Sequence, residues 1–217
     1  MIYFTFHGIG KPLQYLQPDE NQTWLSIAVF ESLLNEIHGR SNVEVTFDDG
    51  NYSDIDIALP ALLRYGMKAS FFVPAGQLDV SGYLSKSDVR ELAHAGMKIG
   101  SHGMYHRDWT KLNDEELKDE IYTSKELLGD ILNRPINETA CPFGFYNRRV
   151  LYHLRKAGYR KVYTSDRGLA RSDAWIQPRN TLFSFNSPES VKSIIKQKKF
   201  GTKELIRNVK LLWKRWR

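Results

Sequence analysis

A chain of 217 residues with 41% hydrophobic and 26% charged side chains is long enough to bury a sizeable core as one domain, and its composition excludes disordered and low-complexity classes. Its only cysteine, Cys141, excludes an intrachain disulfide, and no apolar run reaches the ~20 residues that span a bilayer. The formal charge of +6 is concentrated at the C-terminus, where lysines and arginines crowd residues 192–217 against the single acid Glu204.

Short apolar runs alternate with helical patterns along the whole chain. Strands are expected at Ile2–His7, Val43–Phe47, Ala69–Pro74, Met97–Ser101, Thr139–Pro142, Tyr159–Thr164 and Thr181–Phe185. Helical patterns lie between them: TWLSIAVFESLLNEI, ALPALLRY, SDVRELAHA, NDEELKDEIYTSKELLGDIL and NRRVLYHLRKA. Asn113, with Glu116 three residues on, forms a capping pair at the start of the longest. Three helix exits, Tyr65-Gly66-Met67, Ala95-Gly96-Met97 and Ala157-Gly158-Tyr159, place glycine where a left-handed C′ residue is favoured, with a strand following at once. This is the recurring joint of a parallel sheet with helical crossovers. A barrel and an open doubly wound sheet both satisfy the pattern. About seven strands, and no glycine-rich dinucleotide loop after the first, favour an α/β fold of the barrel kind.

In such a fold function gathers where strands end. His7 closes the first strand, Asp48 and Asp49 the second, and His102 and His106 follow the fourth. Asp49-Gly50 alone is an ordinary turn pair. Asp49, Asn51 and Ser53 are spaced like the first ligands of a calcium loop, but Asp54 occupies its glycine position and Pro60 its bidentate-glutamate position. An isolated H-x-x-x-H has weak meaning. One carboxylate plus two imidazoles, however, supplies three ligands and leaves positions open, the pattern of a catalytic divalent site. One aspartate would then bind the ion, and its neighbour would act as base toward water acidified by the metal.

Thr46-Phe47-Asp48-Asp49-Gly50 and His102-Gly-Met-Tyr-His106 resemble the first two motifs of the polysaccharide deacetylases, the family 4 carbohydrate esterases that include chitin deacetylases. LPALLRYGMKASFFVPAG, ELAHAGMKIGSHGMYH and ACPFGFYNRRV extend the resemblance across roughly residues 40–180. It implies a distorted (β/α) barrel that removes N-acetyl groups from amino sugars with a divalent metal, usually zinc. It further implies Asp48 as base and Asp49, His102 and His106 as ligands. Phe143, in Ala140-Cys141-Pro142-Phe143, would form a groove wall and offer its N–H to the oxyanion. Tyr146 and Trp175 are further candidates for the substrate groove, with ordinary packing as the alternative for Trp175.

Two departures stand out. The family's third motif begins with arginine where this chain has Ala140, so Arg179 of Gln177-Pro178-Arg179 is the candidate for orienting the base; a surface ion pair is the alternative. The family's late histidine has no counterpart, and His7 is the substitute candidate for general acid or for a supporting group. The expected organisation is a catalytic domain over residues 1–200 and a basic amphipathic tail over 201–217. Leu205, Ile206, Val209, Leu212, Trp213 and Trp216 recur there at helical spacing, which suits either packing on the barrel or contact with an anionic membrane surface. Nucleic-acid binding is not expected. With no basic residue before Lys11 and no cleavage site in MIYFTFHGIG, the expected address is the cytoplasm, either free or in peripheral contact with the inner membrane face. The expected substrate is an N-acetylated glycan, or a lipid- or nucleotide-linked precursor. A non-sugar amide, or a degenerate glycan-binding module, is the alternative.

Overall fold

The computed structural model of the chain describes residues 1–15, 20–196 and Lys214. Eight parallel strands form one sheet: β1 Ile2–Phe6, β2 Val43–Phe47, β3 Ala69–Val73, β4 Lys98–Ser101, β5 Glu138–Ala140, β6 Lys161–Thr164, β7 Ile176–Pro178 and β8 Asn180–Thr181. Their order is β7-β6-β5-β4-β3-β2-β1-β8, so consecutive strands are neighbours until the chain reaches the far edge. There Arg179 alone separates β7 from β8, and the chain passes from one edge of the sheet to the other. Arg179 N–H donates to Thr164 of β6 at 2.8 Å, and Leu182 N–H donates to Thr5 of β1 at 2.9 Å. The sheet therefore curls into a nearly closed barrel, as expected for a distorted (β/α) barrel.

Side-chain contacts across the interior confirm the closure. Tyr3 of β1 meets Tyr163 of β6 edge-on at 5.2 Å, although four strands separate them in the sheet. Phe72 of β3 packs on the same tyrosine at 4.8 Å. On the outer face Phe47 stacks between Phe6 (5.4 Å) and Phe71 (4.7 Å), and Phe30 of helix α1 (Ile27–Ile37) closes edge-on against Phe6. Alternate residues of each strand thus serve two cores, one inside the barrel and one beneath the helices.

The remaining helices are α2 Leu59–Arg64, α3 Lys86–His94, α4 Asp114–Lys118, α5 Ser124–Leu132, α6 Arg148–Lys156 and α7 Pro188–Ile195. The exits after α2, α3 and α6 have φ of 63°, 82° and 75° at Gly66, Gly96 and Gly158, the left-handed joints anticipated from the sequence. Asn113 caps α4 by accepting from the Glu115 and Glu116 amides, both at 3.0 Å, while Glu116 returns a bond to the Asn113 N–H.

Three expectations change. The strand count is eight rather than seven, and the last strand is Asn180–Thr181 rather than Thr181–Phe185. Phe183 and Phe185 stack on each other at 5.2 Å in a turn closed by Asn186. The added strand β7 ends in Pro178, which lacks an N–H but is tolerated because β7 is an edge strand. The long helix expected over residues 113–132 is divided into α4 and α5 by a wide π-helical turn at Asp119–Thr123. The tail expected as a basic amphipathic helix, packed on the barrel or in contact with a membrane surface, lies outside the described residues apart from Lys214. No helix among the described residues is long and apolar enough to cross a membrane.

Deleting the Phe47 ring leaves a cavity between two stacked neighbours, so Phe47→Ala is expected to lower the unfolding free energy by about 3–5 kcal/mol. Asn113→Ala removes only an exposed cap and is expected to cost about 1 kcal/mol. Equilibrium urea titrations of the two variants measure both; a Phe47→Ala cost no larger than that of Asn113→Ala contradicts the packing described.

Candidate active site

Because every strand runs the same way, the C-terminal ends of β1, β2, β4, β5 and β7 deliver His7, Asp48–Asp49, His102, Cys141–Phe143 and Arg179 to one rim. In a regular strand Asp48 and Asp49 would face opposite sides. Here the Asp48 N–H still donates to Phe6 of β1 at 3.1 Å, but Asp49 and Gly50 then adopt φ of 75° and 64°. Two left-handed residues in succession break the alternation and bring both carboxylates to the same centre.

Asp48 is buried and Arg179 fully so. The guanidinium clamps the carboxylate with two bonds of 2.6 Å, donates to Thr46 Oγ1 at 3.1 Å, and lies 5.2 Å from the Phe72 ring centroid. Burial opposes the Asp48 charge, but Arg179 and then His102 outweigh it and hold the carboxyl below its ordinary range. Of the two readings open for Arg179, the structure has it buried on the carboxylate rather than in a surface pair.

Asp49 Oδ1 stands 3.5 Å from His102 Nε2 and 3.4 Å from His106 Nε2. His102 Nδ1 lies 2.8 Å from the Ala140 carbonyl; since a carbonyl only accepts, Nδ1 carries the proton and Nε2 points at the centre. Burial pulls the His106 pKa down to about 4, leaving that imidazole neutral with a free lone pair at pH 7. Burial likewise opposes the Asp49 charge, but His106 and His102 hold its carboxyl well below the ordinary range.

This donor set fits a divalent ion. Asp49 Oδ1 is buried and has no hydrogen-bond partner among the described residues. One ligand atom from each of Asp49, His102 and His106 lies within 4.8 Å of the others. Ligands about 2.1 Å from a tetrahedral ion stand roughly 3.4 Å apart, close to the two separations above.

His7 sits beside this group. It is near enough to Asp48, Asp49 and His106 to bias their ionisation, and it lines a cavity of about 50 Å³ with Asp49, His106, Trp24 and Gln14. Trp24, which the sequence did not single out, approaches because residue 8 is glycine: a Cβ there would lie 2.0 Å from the indole ring. Phe143 is half exposed, at φ 57°, with its ring 4.4 Å from that of His106 and 5.9 Å from that of Phe145. Tyr146 is buried, and its hydroxyl donates to Asp166 Oδ2 at 2.8 Å. Asp166 also accepts from Thr164 Oγ1 and from Lys214 Nζ, each at 2.8 Å, and Lys214 reaches the Gly144 carbonyl at 2.9 Å. Tyr146 is thus linked through Asp166 and Lys214 to the Gly144 carbonyl of the Phe143 turn. Trp175 is not brought to the centre. It precedes β7, at the opposite end of that strand from Arg179, where its indole N–H donates to the Tyr159 carbonyl and Arg155 covers its ring.

Asp54, in the π-helical turn Asp54–Ala58 behind the aspartate pair, is fully buried, and neither of its carboxyl oxygens has a hydrogen-bond partner among the described residues. Burial, then the Asp49 and Asp48 charges, raise its pKa well above the ordinary value. The folded protein keeps this proton where an unfolded aspartate, titrating near ~3.9, has lost it. The unfolded state then binds fewer protons, and stability falls as pH rises above ~4 toward the folded pKa. Asp54→Asn removes that slope. In chelator-treated protein, its stability relative to wild type is expected to rise from pH 4.5 to pH 8 in urea titrations; a pH-independent difference contradicts a proton held on Asp54.

Comparison with known proteins agrees with the geometry. The sequence pattern described as polysaccharide deacetylase matches residues 36–162. YxkH of Bacillus subtilis is 30% identical over 131 residues, covering 60% of this chain and 47% of that protein. A peptidoglycan-N-acetylglucosamine deacetylase of Bacillus cereus is 30% identical over 124 residues, covering 57% and 56%. The chain spans about half the length of these curated relatives. In fold it is similar to the Streptococcus pyogenes deacetylase PplD, solved with acetate, at a TM-score of 0.79 and 21% identity over 91% of this chain and 98% of that one. With its matched region running from before Asp48 to beyond Phe143, this chain belongs to the polysaccharide deacetylase family.

Proposed function

We propose that the protein is a metal-dependent hydrolase that removes N-acetyl groups from amino sugars in a polysaccharide or in a lipid- or nucleotide-linked glycan precursor. The observation that carries this reading is an arginine-held carboxylate, Asp48, whose Oδ2 lies 3.8 Å from His102 Nε2 at the edge of the Asp49–His102–His106 set. Two imidazoles and one carboxylate suit zinc, which supplies a lowered pKa for water and polarises the acetamide carbonyl. Asp48, kept ionised by Arg179, takes the proton of the attacking water. The Phe143 N–H donates to the charge that develops on the acetamide oxygen. Phe143 and Phe145 form the wall against which the sugar rests, and Tyr146 with Asp166 holds that wall in place. His7 returns a proton to the departing amine, so that acetate and a free amino sugar leave.

Acetate release from N-acetylglucosamine oligomers and from lipid-linked acceptors tests the reading. A chelator is expected to abolish release and zinc to restore it. Asp48→Asn is expected to lower kcat about 10²–10⁴-fold, the range general-base catalysis supplies. If the wild-type protein binds the oligomers and zinc yet releases no acetate, a glycan-binding module replaces the enzyme. His7→Ala is expected to remove one limb of the pH–rate profile; a profile that matches wild type removes His7 from the proton path.

A further inference from the structure

His102 and His106 are four apart, a spacing that usually puts two histidines on one face of a helix. Here no helix holds them. His102 follows β4 directly, Gly103 has φ 83° and His106 φ 53°, and the segment is irregular. Something other than a helical ladder must set the distance between the two rings.

The amides of the linking residues supply the answer. Gly103 N–H donates to Ser101 Oγ at 3.1 Å, Met104 N–H to Glu120 Oε2 at 2.9 Å, and Tyr105 N–H to Glu120 Oε1 at 3.1 Å. Trp109 Nε1 also donates to Glu120 Oε2, at 3.2 Å. One carboxylate, 1% exposed, therefore spans two consecutive amides between the ligands and leaves no oxygen unpartnered. A Cβ at position 103 would lie 2.2 Å from Glu120 Oε2, so the loop is shaped around this acid. Glu120 lies in the π-helical turn Asp119–Thr123, whose extra residue departs from the α-helical register of α4 and α5. Ser124 anchors the turn by donating to the Glu120 carbonyl at 2.5 Å and meeting Ser101 Oγ at 2.9 Å.

We infer that Glu120 is a positioning residue of the metal centre, fixing the separation of His102 and His106 through the Met104 and Tyr105 amides. The inference rests on the metal-centre reading above but not on the identity of the substrate. It gives the divided helix a purpose: an unbroken α-helix over residues 113–132 would place residue 120 in a different register.

The test measures ion binding directly. Zinc affinity is read by competition with a chromophoric chelator, and Co²⁺ substitution reports ligand geometry through its visible absorption. Glu120→Gln keeps the shape but sets an amide NH₂ against one backbone N–H; it is expected to weaken zinc binding about 10-fold and shift the Co²⁺ spectrum. Glu120→Ala is expected to weaken it up to about 100-fold, within the range for residues that orient metal ligands. Trp109→Phe removes the indole donor together with part of a buried ring but leaves both amide contacts of Glu120, and is expected to retain wild-type affinity and spectrum, whatever it costs in thermal stability. Should Glu120→Gln match wild type in both affinity and spectrum, the inference is overturned while the metal centre stands. Wild-type protein that takes up neither ion overturns both. A loss of affinity that tracks the melting temperature across all three variants assigns Glu120 a purely structural role and likewise overturns the inference.

Discussion

The buried pair between Asp48 and Arg179 organises much of this molecule. Removing either charge from water costs several kcal/mol, recovered only when the geometry is good and the other hydrogen-bonding positions are filled. Here the fork is bidentate, Thr46 takes a further donor, and the faces of Phe72 and Tyr163 lie near the cation, while the buried Arg179 Nε has no hydrogen-bond partner among the described residues. Arg179 is also the single residue joining the two edge strands of the barrel, so the contact that holds the Asp48 carboxylate is made at the place where the sheet closes. A change at this seam acts on the barrel and on the charge state of Asp48 together.

Three acidic side chains lie near the rim, and each reaches a different electrostatic solution. Asp48 is matched by a guanidinium. Asp49 faces two imidazoles and keeps one oxygen without a hydrogen bond, as a ligand atom requires. Asp54 lies behind both, without a partner, and holds a proton. Were all three ionised, a single arginine would have to answer three negative charges in a low-dielectric setting. A proton on Asp54, which burial and its neighbours favour, and a cation at Asp49 would reduce the imbalance, so a divalent ion would suit this pocket electrostatically as well as geometrically.

The residues legible from sequence were those whose signal is local. The TFDDG and HGMYH runs name Asp48, Asp49, His102 and His106 by adjacency, and the helix–glycine–strand joints announce the parallel sheet. Arg179 was reached through an absence, the alanine at 140, and the structure puts it against the carboxylate. Of the two readings open for Trp175, the structure has the packed one; an aromatic beside a strand carries no sign of which end of the barrel it faces. β7 was hidden because a strand of three residues ending in proline has no periodicity to read, and the bounds of the two-residue β8 were misplaced for the same want of length. Glu120, Asp54 and Asp166 were invisible for another reason. Their roles depend on being buried against distant backbone or charge, and in one dimension each looks like an ordinary surface acid. The two π-helical turns that carry Glu120 and Asp54 leave no pattern distinct from an amphipathic helix.

The order in which the chain is synthesised gives the seam a further meaning. Chains emerge N-terminus first and domains fold as units, and contacts between residues 131 apart in sequence come late because their loop-closure entropy must be met first. A nascent chain that has produced Asp48, Asp49, His102 and His106 still lacks Arg179, so the Asp48 carboxylate has no guanidinium partner until residue 179 arrives. The ion pair and the closing strands are thus completed by the same late segment, and any product truncated before the seventh strand lacks both the barrel seam and the partner of a carboxylate that the fold buries.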